Sequence, residues 1–181
     1  MTCIVGIAQG GDVYIGGDSA AIAIETGSKT IISGEKVFVK DEYIIGYSGS
    51  YRMGKVLQYN IEYPKVPAWA LGAEKLDEFI HLHLVPSIKK QVAEMELDEV
   101  TRDAECLIGI RGKIFEFTTQ DWFAIHSNDG YAACGSGGDV ALGSLYSTSD
   151  LEDPKQRLMM ALEASSKHNA YVCSPFYIKK V

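Results

Sequence analysis

Apolar residues in this chain fall in short unbroken runs rather than in strict alternation. Ile4-Val5-Gly6-Ile7-Ala8 and Val13-Tyr14-Ile15 are two such runs, separated by Gln9-Gly10-Gly11-Asp12. Runs of this length around Gly-Gly predict a β-hairpin. A strand with one wet face would alternate, so this pair predicts a sheet covered on both sides. A Gly/Ser/Thr-rich stretch continues to Gly34. Lys36-Val37-Phe38-Val39 and Tyr43-Ile44-Ile45-Gly46-Tyr47 then predict a second hairpin around Lys40-Asp41-Glu42. Ser48-Gly49-Ser50 closes it and offers a serine N-cap for a helix.

The period changes after Tyr51. A first helix is predicted from Tyr51 to Tyr59 or beyond, with Pro64 and Pro67 ending it or following its end. Leu76, Phe79, Ile80, His83, Leu84, Ile88, Val92 and Met95 recur at helical spacing and define the inward face of a second. Pro86 should kink it, because proline removes a backbone donor. Strands are predicted at 104–111, 113–118 and 122–126, with a tight turn at Arg111-Gly112-Lys113. Ala132-Ala133-Cys134 forms a short strand that runs into Gly135-Ser136-Gly137-Gly138. A helix follows from Asp139 to near Tyr146. Asp153-Pro154 opens another, reaching His168, because Asp caps and proline suits the first helical position. Val172 to Ile178 is a last strand, interrupted at Pro175.

This order does not alternate strand with helix, which argues against a doubly wound parallel sheet. It predicts an α+β fold in which two mostly antiparallel sheets lie between helix layers, a four-layer αββα sandwich. With 181 residues, 46% hydrophobic and 23% charged, the chain predicts one globular domain over residues 1–181. A net charge of -7 with only scattered basic doublets gives no footprint for nucleic acid. No apolar run approaches the ~20 residues of a membrane span, and no signal-peptide pattern opens the chain. Cys3, Cys106, Cys134 and Cys173 form no Cys-x-x-Cys pair, and the four histidines are scattered, so neither a metal nor a cofactor is expected. The cysteines read as reduced and mostly buried, which predicts a cytoplasmic protein.

Candidate chemistry begins at Thr2. A threonine hydroxyl is a poor nucleophile. Removal of Met1 would place a free amine on the same residue, with an ordinary pKa near ~8. That amine can act as the base for its own hydroxyl. The pair needs a cation that keeps the amine neutral, a carboxylate that orients the cation, and donors for the oxyanion.

Several motifs stand in order along the chain. They are Thr2-x-Ile4-Val5-Gly6, Gly17-Asp18-Ser19-x-Ala21, Lys36-Val37, Ile45-Gly46-Tyr47-Ser48-Gly49 and Gly135-Ser136-Gly137-Gly138. Each alone is weak; together they span almost the whole chain. On these residues the sequence resembles the proteasome β-type N-terminal-nucleophile hydrolases, most closely their HslV-type branch. The resemblance implies Thr2 as nucleophile, Asp18 and Lys36 as carboxylate and cation, Gly49 as an oxyanion-hole amide, and Ser136 as a partner of the threonine amine. It also implies peptide or unfolded-protein substrates, a homo-oligomeric ring and a separate unfoldase ATPase.

The chain departs from the family pattern in three places. Asn169 occupies the region where the family often carries an aspartate. Cys3 stands where a second threonine is common. The segment between Asp18 and Lys36 is slightly longer. Residues 20–34 and 46–53 are expected to wall the substrate pocket. Two other readings stay open: a ring or scaffold subunit silenced by retained Met1, and a small-molecule amidase of the same nucleophile class.

Overall fold

The computed structural model describes residues 1–23, 26–32 and 35–181. The first hairpin forms from β1 (Ile4–Gln9) and β2 (Asp12–Gly17), turning at Gly10 and Gly11. The second forms from β5 (Val37–Lys40) and β6 (Tyr43–Gly49). Between them, β3 (Ala20–Ile22) and β4 (Lys29–Ile31) make a small hairpin of their own. Its sequence is too polar and too short to show strand periodicity. The predicted irregular stretch to Gly34 also includes Ile24, Glu25, Ser33 and Gly34, which lie outside the described residues.

Helix α1 (Tyr51–Tyr59) starts where predicted, with the Ser50 hydroxyl accepting from Met53 N at 3.1 Å. The second predicted helix is broken into α2 (Ala73–Phe79), a π turn over Ile80–Leu84, and α3 (Val85–Ala93). In a regular helix the ring of Pro86 would meet the carbonyl four residues back, and a widened turn relieves that collision. Two short elements escaped the sequence pattern: a 3-10 turn over Ala68–Leu71 and α4 (Glu99–Arg102). The remaining elements are β7 (Ala104–Ile110), β8 (Lys113–Thr118), β9 (Phe123–His126), β10 (Tyr131–Cys134), α5 (Gly138–Ser147), α6 (Pro154–His168) and β11 (Tyr177–Lys180). The last strand starts later than predicted, beyond Pro175, which has no N–H to give to a ladder.

Beside the β3-β4 hairpin stand two larger sheets, ordered β10-β1-β2-β11 and β5-β6-β7-β8-β9, with every pairing among the described residues antiparallel. Their facing sides bury Ile4, Val13, Ile15, Val37, Ile44, Leu107 and Ile114. The outer side of the five-stranded sheet packs Ile45, Tyr47 and Cys106 on Met53, Leu57, Leu76, Phe79 and Ile88 of the first helix group. The outer side of the four-stranded sheet packs Cys3, Val5 and Ile7 on Ala141, Leu145, Leu158 and Leu162 of α5 and α6. Both faces of each sheet are therefore covered at the central strands, as the unbroken apolar runs require, while Phe123 and Ile125 on the outer strand β9 stay exposed. Full burial of each aliphatic side chain is worth roughly 1.5–3 kcal/mol. The layers are αββα.

Register places the chemistry. Ile4 pairs with Gly17 on one side and with Cys134 on the other. Continuing both ladders past the end of β1 brings Cys3 opposite Asp18 and Thr2 opposite Ser136. The start of β5 and the end of β6 lie at the same end of the sandwich.

Candidate active site

Asp18 follows β2 and is 1% exposed. Its Oδ1 accepts from Cys3 N at 3.1 Å, and its Oδ2 from Ala20 N at 2.9 Å and Cys173 N at 3.4 Å. Three backbone donors hold the carboxylate in place. Lys36, just before β5, is 2% exposed and needs this partner, because a buried charge without one is costly. Its Nζ donates to Asp18 Oδ1 at 2.8 Å, Ala20 O at 2.6 Å and Thr2 Oγ1 at 2.7 Å. All three ammonium protons are thus placed. Burial lowers the Lys36 pKa below its ordinary value, against the opposing pull of Asp18.

Thr2 is also buried. Its Oγ1 accepts from Lys36 and donates to the Met1 carbonyl at 2.5 Å. Thr2 N donates to Ser136 Oγ at 3.2 Å, and Thr2 O accepts from Gly137 N at 3.0 Å. The turn can come this close because Gly135 has φ +85 and no side chain. A Cβ there would sit 2.5 Å from Thr2 O. The Met1 amine lies in the same field. Burial, and then the charge of Lys36, lowers its pKa, while Asp18 and Glu105 push it the other way.

A cleft of about 520 Å³ opens over Thr2, walled by Ala20, Ala21 and Ile22 of β3, by residues 47–51, and by Val100, Thr101 and Asp103. Gly49 lines it with φ +90, next to the Asp103 carbonyl. Of the residues singled out in the sequence, Thr2, Asp18, Lys36 and Ser136 are brought into direct contact, and Gly49 shares their cleft. Asn169 is not brought to Thr2. It follows the last turn of α6, its Nδ2 donates to Ser136 O at 2.6 Å, and its Oδ1 accepts from Tyr171 N at 2.9 Å.

Sequence reasoning missed three parts of this environment. Ser165, fully buried, donates to Gly137 O at 2.9 Å and accepts from Cys3 Sγ at 3.4 Å, so α6 is tied to the Ser136 turn. Burial pushes the Cys3 thiol up to about 11, which keeps it a donor at neutral pH. A readable signal existed, since Ser165 lies on the inward face that Leu158, Ala161 and Leu162 define. Glu105 was the second omission; its Oε2 accepts from Gly135 N at 3.1 Å. The third was the wall at Val100–Asp103, carried by a helix too short to leave a periodic trace.

No protein-family model matches the chain, and no curated protein sequence does. Solved structures do match. Eukaryotic HslV from Trypanosoma brucei superimposes with a TM-score of 0.71 over 99% of this chain and 98% of that one, at 20% identity. BPH from Thiobacillus denitrificans, solved with epoxomicin, gives 0.72 over 99% and 98%, at 16% identity. Anbu, an ancestral beta-subunit from Yersinia bercovieri, gives 0.69 over 99% and 81%, at 12% identity. The fold is that of the proteasome-type N-terminal-nucleophile hydrolases. Within this fold, the ends of the two hairpins and the turn after β10 gather a hydroxyl, an ammonium and a carboxylate into hydrogen-bonding contact at the mouth of one cleft. Such a set can lower the pKa of a hydroxyl and fix the direction in which it attacks. Among the described residues no helix is long and apolar enough to cross a membrane.

Proposed function

We propose that the chain is a single-domain threonine peptidase, working in a proteasome-like homo-oligomeric ring once Met1 is removed. One observation carries the reading: Lys36 Nζ lies 2.7 Å from Thr2 Oγ1 while held by Asp18 at 2.8 Å. The relatives in fold support the protease class, and one of them, BPH, was solved with epoxomicin.

The steps follow from the donors and acceptors present. With Met1 gone, the hydrogen bond from Thr2 Oγ1 to the Met1 carbonyl is lost, and the hydroxyl proton can pass to the Thr2 amine. Oγ1 bonds to the substrate carbonyl carbon, and the oxyanion is met by backbone donors at Gly49. The intermediate collapses, the C–N bond breaks, and the ammonium returns its proton to the leaving amine. Water then attacks the ester, the amine taking the water proton, and the product acid leaves Thr2 restored. Lys36 stabilises the developing charge on Oγ1 throughout, and Ser136 keeps the amine directed at the hydroxyl.

Substrates are peptides or unfolded proteins, delivered by a separate unfoldase ATPase and confined by the ring; neither a cofactor nor a metal is called for. With Met1 attached, the Thr2 nitrogen is an amide and the hydroxyl is engaged with the Met1 carbonyl. That contact favours a second reading for unprocessed chains, in which they build the ring without cleaving.

Intact mass after incubation with a peptide epoxyketone tests the proposal, since this class of inhibitor requires a hydroxyl and a free amine on one residue. The expected product lacks Met1 and carries one inhibitor, and Thr2→Ala carries none. Adduct on Thr2→Ala, or none on a chain that begins at Thr2, would reject the reading.

A further inference from the structure

Proton transfer from the Thr2 hydroxyl turns its amine into an ammonium, which a nearby carboxylate must stabilise. Asp18 is committed to Lys36 and three backbone amides. Asn169 touches the Ser136 turn but carries no charge. One further carboxylate reaches this turn. Glu105, on β7, accepts from Gly135 N through Oε2 at 3.1 Å. The Gly135 backbone in turn abuts the Thr2 carbonyl so closely that no side chain fits between them. Glu105 therefore stands one residue from the Thr2 backbone, and Asn169 holds the next residue of the same turn.

We propose that Glu105 is a positioning residue of the threonine site: its carboxylate fixes the Gly135-Ser136 turn against Thr2 and stabilises the protonated Thr2 amine. The inference rests on the peptidase reading for its catalytic meaning, but its geometry does not.

The charges around the amine set the direction of the effect. The Met1 amine, one residue before Thr2, reports this field: burial lowers its pKa most, Lys36 lowers it further, and Asp18 and Glu105 raise it. Ser136 Oγ accepts from Thr2 N, and Asn169 bonds the Ser136 carbonyl. On a Thr2 amine the same charges would act in the same directions, Lys36 toward the neutral base and Glu105 toward the protonated form. On its other side Glu105 faces a groove of about 770 Å³ shared with Glu116 of β8, Asp121, Cys134 and Asp139 of α5. The Glu116 carboxyl is pushed up by burial and then by the charge of Glu105. The groove is open to water, so the field of Glu105 is partly screened, and its influence on the amine is moderate.

Glu105→Gln separates charge from support. Its amide oxygen can still accept from Gly135 N, but the charge is gone. Glu105→Asp keeps the charge on a shorter arm. The protein is prepared with Thr2 as its first residue, and the amine is titrated through the carbon shifts of isotope-labelled Thr2. The expected result is an amine midpoint displaced to lower pH in Glu105→Gln, by about three- to tenfold in its dissociation constant. Glu105→Asp should recover most of that displacement. The low-pH limb of kcat/KM should move by the same amount. An unchanged midpoint in Glu105→Gln would overturn the proposal, leaving Glu105 a support of the turn. If the wild-type chain cleaves no peptide, the peptidase reading fails, and the titration still decides whether Glu105 acts on the amine.

Discussion

At the scale of single residues, the site depends on one buried ammonium with three acceptors. Lys36→Met keeps the bulk of the stem and removes every donor. It should abolish epoxyketone adduct formation and lower peptide turnover by about 10³-fold or more. Removing one member of a buried pair costs about 3–5 kcal/mol; the three backbone donors on Asp18 place this variant at the low end, so it should fold. Denaturant unfolding and inhibitor mass check both claims. The pH dependence has a definite sign. Folded Lys36 titrates below its unfolded value near ~10.4. Between the two, the unfolded chain holds more protons, so the wild-type protein gains stability as pH rises through that window. Lys36→Met should lack this gain. Taking the difference between the two proteins cancels the buried tyrosines, which titrate alike in both. For activity, burial and then Lys36 lower the pKa of the Met1 amine; a Thr2 amine exposed in the same surroundings would be lowered likewise, so kcat/KM should rise with pH and level off below about 8.

Much of this site was readable one residue at a time. Thr2, Asp18, Lys36 and Ser136 are of the residue types the proposed chemistry needs, and each stands beside a glycine or a strand end. Asn169 was read as a member of the site, but its side chain bonds the Ser136 carbonyl and Tyr171 N, one step removed from Thr2. Glu105 was invisible for the opposite reason. It is one acidic residue in a strand of apolar ones, and only the pairing of β7 with its neighbours brings it under the turn after β10.

Elements were legible where a periodic pattern ran for a full helix or a paired hairpin, as in β1–β2, β5–β6, α1 and α6. They were not where an element was one turn long, as in α4, or where proline interrupted the ladder, as at Pro86 and Pro175. Gly54 shows how an element can carry information that periodicity hides. Glycine inside α1 costs about 0.8–1.0 kcal/mol relative to alanine. It is nonetheless required, because a Cβ at position 54 would fall 2.0 Å from the Tyr47 ring. That ring packs against the helix where Gly54 leaves room, and Tyr47 also lines the cleft over Thr2. Gly54→Ala should therefore lower stability by about 1–3 kcal/mol despite its better helix propensity. The displaced ring should crowd the cleft and raise KM for peptides more than it lowers kcat. Unfolding curves and steady-state kinetics test this; a stabilised variant with unchanged KM would show that Tyr47 does not set the depth of the cleft.

At the scale of the whole molecule, the sandwich leaves an apolar sheet edge uncovered. Strand β9 is one of the two outer strands of the five-stranded sheet, and Phe123 and Ile125 on it are 52% and 58% exposed. Both line the groove behind Glu105. An exposed apolar edge invites pairing with another chain, and proteins that remain monomeric usually blunt such edges with charge or proline. The proposed ring would cover it with a second copy. The wild-type protein should then run in solution at a mass many times its own, and Ile125→Lys should reduce that mass while circular dichroism stays unchanged. A charged side chain costs little on a wet edge but is expensive in a dry interface, so assembly and not folding should respond. If Ile125→Lys assembles normally, this edge lies outside the contacts. If the wild-type chain itself is monomeric, confinement by a ring is lost as the means of restraining a peptidase, and the small-molecule amidase becomes the better reading of the same Thr2 site.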